Sequence, residues 1–149
     1  METDIDELFR NRLLRRIPIN LEKVNSSIRI AQTKLEEAKK LFECDFFNNV
    51  VLSAYTSVFH ASRALLYSQG IQEKSHYATY FYIKEKFSDK IPNSLINSFN
   101  NYRKIRHDIL YGEEPEIEKD DSENAILDAE DFLEEVKKIL NIKNELHSP

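Results

Sequence analysis

DFFNNVVLSAYTSVFHASRALLYSQG, residues 45–70, is the most apolar stretch of the chain and its reading decides the fold. Ala54, Ser57, Ala61 and Ala64 recur at helical spacing and are small enough to let a neighbouring helix approach. Val51, Tyr55, Val58, Phe59, Leu65 and Leu66 fill the space around them. A helix apolar over so much of its circumference belongs at the centre of a bundle. Asp45 suits its N-cap, and Gly70 ends it as a left-handed residue just past the last turn would.

The segments on either side carry the same period. Residues 20–43 place Leu21, Val24, Ile28, Ala31, Leu35, Ala38 and Phe42 in alternating steps of three and four, a bundle-type seam with Asn20 as its cap. Ser75 caps a fourth segment running to about Phe87, with Tyr77, Phe81 and Ile83 in reach of the core. DKIPN is a loop, and a fifth helix spans about Ser94 to Tyr111, with Gly112 directly after it. EEPEIEKDDSE is an acidic linker. The last helix begins near Ser122, and its stripe is Ala125, Ala129, Phe132, Val136 and Leu140. Residues Thr3 to Ile17 form a short amphipathic segment with Ile5, Leu8, Phe9, Leu13 and Ile17 apolar, closed by Pro18. The predicted architecture is all-α: an antiparallel up-and-down bundle of about five helices plus a short N-terminal helix. Residues 1–18 are an amphipathic arm, 19–142 the bundle and 143–149 a frayed tail.

Composition narrows the function classes. The chain has 149 residues, two glycines, four prolines and a net charge of −5. So few turn residues disfavour an all-β fold, and the negative charge excludes a general nucleic-acid coat protein, though not a small local basic site. The single cysteine, Cys44, permits no internal disulfide and fits a reducing cytoplasm. The N-terminus METDIDELFR does not read as a signal peptide. No apolar run reaches the ~20 residues needed to cross a bilayer, so no membrane association is expected. His60, His76, His107 and His147 show no HExxH spacing, and two glycines supply neither a P-loop nor a dinucleotide fingerprint. No cofactor or metal is expected.

The stretch NNYRKIRHDILYG, residues 100–112, holds the chemistry. On a helix, Leu95, Phe99, Tyr102, Ile109 and Leu110 gather on one face with Arg106 in their midst. A guanidinium there is costly unless paired. Arg103, Arg106 and His107 lie within one turn. Forked donors and an imidazole suit a phosphate. Three readings stay open: a structural arginine paired to Asp45, Asp108 or a carboxylate of the last helix; a phosphate or nucleotide site; a subunit interface. His60 and Arg63, one turn apart on the third helix, and His76 in the first turn of the fourth are secondary candidates beside their reading as packing or cap residues. Tyr77, Tyr80, Phe81 and Tyr82 either stack on bases or pack core and rim. The basic cluster Arg10, Arg12, Arg15 and Arg16 is either a solvated face or a contact for an acidic partner or RNA.

These residues resemble a family. AKKLFECDFFNNVVLSAYTSVFHASRALLYSQGIQEKSHYATYFYIKEKF, residues 38–87, is similar to the HEPN domain (higher eukaryotes and prokaryotes nucleotide-binding). The likeness rests on Ala54-Tyr55, His60-Ala61, Ala64-Leu65-Leu66, Gly70 and Ser75-His76. ENAILDAEDFLEEVKKIL, residues 123–140, resembles the family's final helix. The resemblance implies a helical bundle, usually a homodimer. It also implies a link to RNA or nucleotides, often beside a minimal nucleotidyltransferase partner in a toxin–antitoxin pair. Active members cut RNA without metal, using an Arg, a polar residue and a His after four to six intervening residues. Here Arg106-His107 matches the first half, while Tyr111 stands in the place of the His. His107 follows Arg103 with only three residues between. This Arg106-to-Tyr111 form is like that of a subgroup of small prokaryotic HEPN proteins. The expectation is a binding module whose groove is lined by Arg103, Arg106 and Tyr111. The alternatives are a metal-independent ribonuclease toxin using Arg106 with His107 or Tyr111, and a structural interaction protein without ligand.

Overall fold

The computed structural model describes residues 4–112 and 115–142. Its elements run α1 (Ile5–Arg10), β1 (Leu14–Arg16), α2 (Leu21–Glu43), α3 (Phe47–Ser68), β2 (Ile71–Glu73), α4 (His76–Phe87), α5 (Asn93–Tyr111) and α6 (Lys119–Leu140). The all-α bundle read from the sequence is the architecture observed. The expected frayed tail 143–149, with His147, and the linker positions Glu113 and Glu114 lie outside the described residues.

α3 is the central helix, and residues on every side of it are buried. It packs against α2, α6, α5 and α4. Small residues let α2 and α3 approach closely: Ala31, Ala38, Ala54, Ala61 and Ala64 are fully covered. At this seam the buried Ser57 hydroxyl donates to the Ala31 carbonyl at 2.7 Å. The seam of α2 buries Val24, Ile28, Ala31, Leu35 and Ala38, whereas Leu21 in its first turn is exposed. α6 closes the other side with Ala125, Ala129, Phe132 and Val136.

Two of the predicted caps are present. Asn20 Oδ1 accepts from the amides of Glu22 and Lys23, and Ser75 Oγ accepts from Ala78 N. Asp45 acts differently from expectation. It is left-handed (φ 62°), and the turn through it ends α2: Asp45 N–H reaches the Phe42 carbonyl and Phe46 N–H the Leu41 carbonyl. This is a Schellman closure with aspartate where glycine is usual. α6 starts three residues before the expected Ser122, through a capping box between Glu118 and Asp121.

The N-terminal segment is not one helix to Ile17. α1 ends at Arg10. Arg12, at φ 61°, turns the chain so that Leu13 N–H bonds the Leu8 carbonyl. β1 then pairs antiparallel with β2, Leu14 opposite Glu73 and Arg16 opposite Ile71. Leu8 and Leu14 are buried in the common core. Gly70 makes this junction possible. Its φ is +71°, and a Cβ there would lie 2.8 Å from the Ile17 carbonyl oxygen. Its own carbonyl accepts from Ile17 N–H.

Candidate functional site

The face built by α3, α4 and α5 gathers the charged and aromatic side chains. Leu95, Ile96 and Phe99 anchor α5 in the core. Beyond them cover thins: Tyr102, Arg103, Ile105, Arg106 and Ile109 are half-buried, while His107 and Leu110 are exposed. The apolar stripe expected around Arg106 is therefore only partly covered, and Leu110 lies outside the core.

Arg106 has no carboxylate within 4 Å among the described residues, so the pairing expected with Asp45, Asp108 or α6 is not made. Its guanidinium instead lies 5.9 Å from the centre of the Tyr55 ring. Arg103 lies over Tyr77 at 5.3 Å and Tyr80 at 6.0 Å. It donates to Asn100 Oδ1 through Nε and Nη2, at 3.1 and 2.8 Å. Both arginines are thus held on ring faces, a favourable placement for a cation that spends no carboxylate.

Tyr55 links the arginines to His76. Its hydroxyl is 2.7 Å from His76 Nδ1, and the imidazole stacks on Phe59 at 4.1 Å between ring centres. Burial, followed by the positive charge of Arg106, pushes the His76 pKa down to about 4. Burial also raises that of Tyr55, against the opposing pull of Arg106 and Arg103. Both groups are therefore neutral at pH 7. We assign Tyr55 Oη as donor to Nδ1, which leaves the imidazole proton on Nε2.

Arg63 is a different kind of arginine. Its Nε and Nη2 contact the Glu73 carboxylate at 2.7–3.3 Å, and it lies over Phe59 and Tyr67. This pair, with Glu73 buried and Arg63 partly exposed, ties α3 to β2. His60 stands edge-on to Phe59 at 5.7 Å, and its buried Nδ1 has no hydrogen-bond partner among the described residues. Burial and then Arg63 lower its pKa.

The structure thus gathers Arg103, Arg106 and His76. His107 and Tyr111 pack on each other, 5.1 Å between ring centres, at the exposed end of α5. Tyr55 was not singled out for function from the sequence. The available signal was that a tyrosine deep in an apolar helix carries a hydroxyl in need of a partner. No group of three or more potential metal ligands occurs among the described residues. No described helix is long and apolar enough to cross a membrane.

The fold and site together define a helical bundle that sets two arginines, without a carboxylate partner among the described residues, over an aromatic and histidine face. Comparison with known proteins is consistent with the resemblance read from the sequence. The HEPN domain model matches residues 24–139, and the chain belongs to the HEPN family. It is similar to the "UPF0332 protein" of Archaeoglobus fulgidus, 29% identical over 126 residues, covering 81% of this chain and 98% of that one. It is also similar to "Putative toxin MJ0605" of Methanocaldococcus jannaschii, 30% identical over 125 residues, covering 80% and 90% of the two chains. A second protein of that organism, "Putative toxin MJ0142", is 28% identical over 116 residues, covering 76% and 79%.

Proposed function

We propose that this HEPN protein is a binding module for the phosphate groups of RNA or a nucleotide, and that Arg103 and Arg106 are the groups that hold them. One contrast carries the reading. Arg63 is neutralised by Glu73, whereas neither α5 arginine has a carboxylate partner among the described residues. The Arg106 fork, and the Arg103 donors not taken by Asn100, stand beside aromatic rings and match a phosphate and its nucleoside. With its proton on Nε2, neutral His76 would offer a further donor beside the arginines. The putative-toxin names of two relatives support a place in a toxin–antitoxin-type system; a minimal nucleotidyltransferase is the partner that the family resemblance implies. Leu110 and Tyr111, 46% and 71% exposed, support a homodimer that brings two copies of the α5 end together.

Binding is favoured over cleavage for a chemical reason. An acid or base works best with a pKa near the working pH. The His76 value lies near 4 and that of Tyr55 is raised above its ordinary 10, so this pair is poorly matched to shuttling protons at neutral pH.

The test compares wild type, Arg103→Ala and Arg106→Ala for binding of a mixed-sequence RNA oligomer, with circular dichroism as the folding check. The same RNA is incubated in EDTA to detect cleavage. Each variant is expected to fold, to bind about tenfold or more weakly, and to leave the RNA intact. Unchanged affinity in both variants would refute the reading. Cleavage by wild type but not Arg106→Ala would make the protein a metal-independent ribonuclease.

A further inference from the structure

The basic residues near the N-terminus take no part in the α5 site. The turn after α1 and the β1–β2 ribbon border an open cavity of about 560 Å³, lined by Arg12, Arg15, Lys74, Phe9, Leu14 and Gln72. A volume in this range suits a small ligand. The one carboxylate in the wall, Glu73, is already compensated from the other side by Arg63. None of the three cations has a carboxylate within 4 Å among the described residues. Arg15 donates to Gln72 Oε1 at 3.2 Å, across the ladder. The cavity therefore presents three positive charges without carboxylate partners among the described residues, beside half-buried Phe9, over whose ring Arg16 also lies at 4.5 Å.

Arg12 adds an independent observation. It occupies the left-handed position (φ 61°) of the Schellman closure of α1, with its own N–H on the Phe9 carbonyl and Leu13 N–H on the Leu8 carbonyl. Glycine occupies that position at little steric cost, and an arginine is strained there. A strained residue that places a forked cation in a cavity points to use of its side chain.

We propose that this cavity is a second anion site, for a phosphorylated small molecule of nucleotide type. Its phosphates would meet Arg12, Arg15 and Lys74, and its base would lie beside Phe9. The site shares no residue with the Arg103–Arg106 face. The two are joined through the Glu73–Arg63 pair, whose arginine lies over the Phe59 ring on which His76 stacks.

Calorimetric titration with ADP tests this, in an Arg103→Ala/Arg106→Ala background that removes the α5 arginines from the measurement. Arg12→Gly is the decisive variant because it relieves the backbone strain. It is expected to raise the thermal midpoint by about 3 °C and to weaken ADP about tenfold. Loss of binding then cannot come from unfolding. Arg10→Ala makes the same change in charge on an exposed residue outside the cavity and is expected to change affinity less than twofold. Adenosine, which lacks phosphate, is expected to bind at least tenfold more weakly than ADP. No ADP binding in the double-variant background would overturn the proposal. So would equal binding by Arg12→Gly. Binding of poly-glutamate but not ADP would overturn it in favour of an acidic protein partner.

Discussion

A phosphate bound at Arg103 and Arg106 should move the titration of His76, and the structure gives the sign and scale. In the free protein, burial, Arg106 and other neighbouring charges take the imidazole from its ordinary 6.5 to about 4. Because the folded value lies below the unfolded one, the unfolded chain takes up the proton first as the pH falls. The neutral ring's contribution to stability is complete above about pH 6.5 and is lost as the pH falls toward 4. A shift of that size corresponds to about 3 kcal/mol. The ring is only half-buried, so solvent screening reduces this to about 1.5 kcal/mol. An anion on the arginines cancels part of the repulsion and raises the His76 pKa. If the rise is about one unit, linkage requires the anion to bind about tenfold tighter at low pH than at pH 7. The assay is proton NMR of the histidine ring between pH 4 and 8, with and without AMP, using His76→Gln to assign the signal. The expected result is a low midpoint in free protein, and a higher one both with AMP and in Arg106→Ala. An unmoved His76 midpoint at saturating AMP, in the Arg12→Gly background that weakens the other proposed site, would refute this placement of the anion.

Two further perturbations test the frame that holds the site. Gly70→Ala forces a Cβ into the Ile17 carbonyl at positive φ, and is expected to cost about 1–3 kcal/mol in urea unfolding. A cost below about 0.5 kcal/mol would mean that the ribbon shifts freely. Glu73→Gln leaves the Arg63 guanidinium without its charge partner. With 28% of the Arg63 side chain still exposed, the expected loss is about 1–2 kcal/mol, again read from urea unfolding.

What could be read ahead of the structure was local. Asn20 and Ser75 are caps because a side-chain oxygen two or three residues before an amide needs no distant partner. The α2 and α6 stripes follow from period alone. Ile5, Leu8, Phe9, Leu13 and Ile17 also fit a helical period, yet the chain breaks after Arg10. The competing interaction is a ladder to β2, with Leu14 opposite Glu73. No window along the sequence contains both strands. Asp45 shows the ambiguity of a single residue type. Aspartate serves as an N-cap or as a left-handed turn residue, and the carbonyls at the end of α2 claimed it before α3 could. In the site, Arg103 and Arg106 stood out by spacing on one helix. Tyr55 did not, because its partner His76 lies 21 positions away and its apolar surroundings read as packing.

The arginine in an apolar stripe raised the question of what pays for it. The ring faces of Tyr55, Tyr77 and Tyr80 supply part of the answer, since cation–π placement holds a guanidinium by its plane. Its N–H edge is then left without a carboxylate. Arg63 shows the alternative on the same fold, with rings on one side and Glu73 on the other. Among the described residues, the α5 pair therefore lacks the charge compensation that Arg63 has. Two like charges one turn apart cost a few tenths of a kcal/mol, and partial burial adds to that. A bound anion removes both penalties at once. Ligand binding should consequently stabilise the fold by RT ln(1 + [L]/Kd), about 2.7 kcal/mol at a hundredfold excess over Kd. A purely structural arginine has no such gain to offer. The proposed phosphate site thus rests on the difference between Arg63, paired with Glu73 inside the fold, and Arg106, which has no carboxylate partner among the described residues.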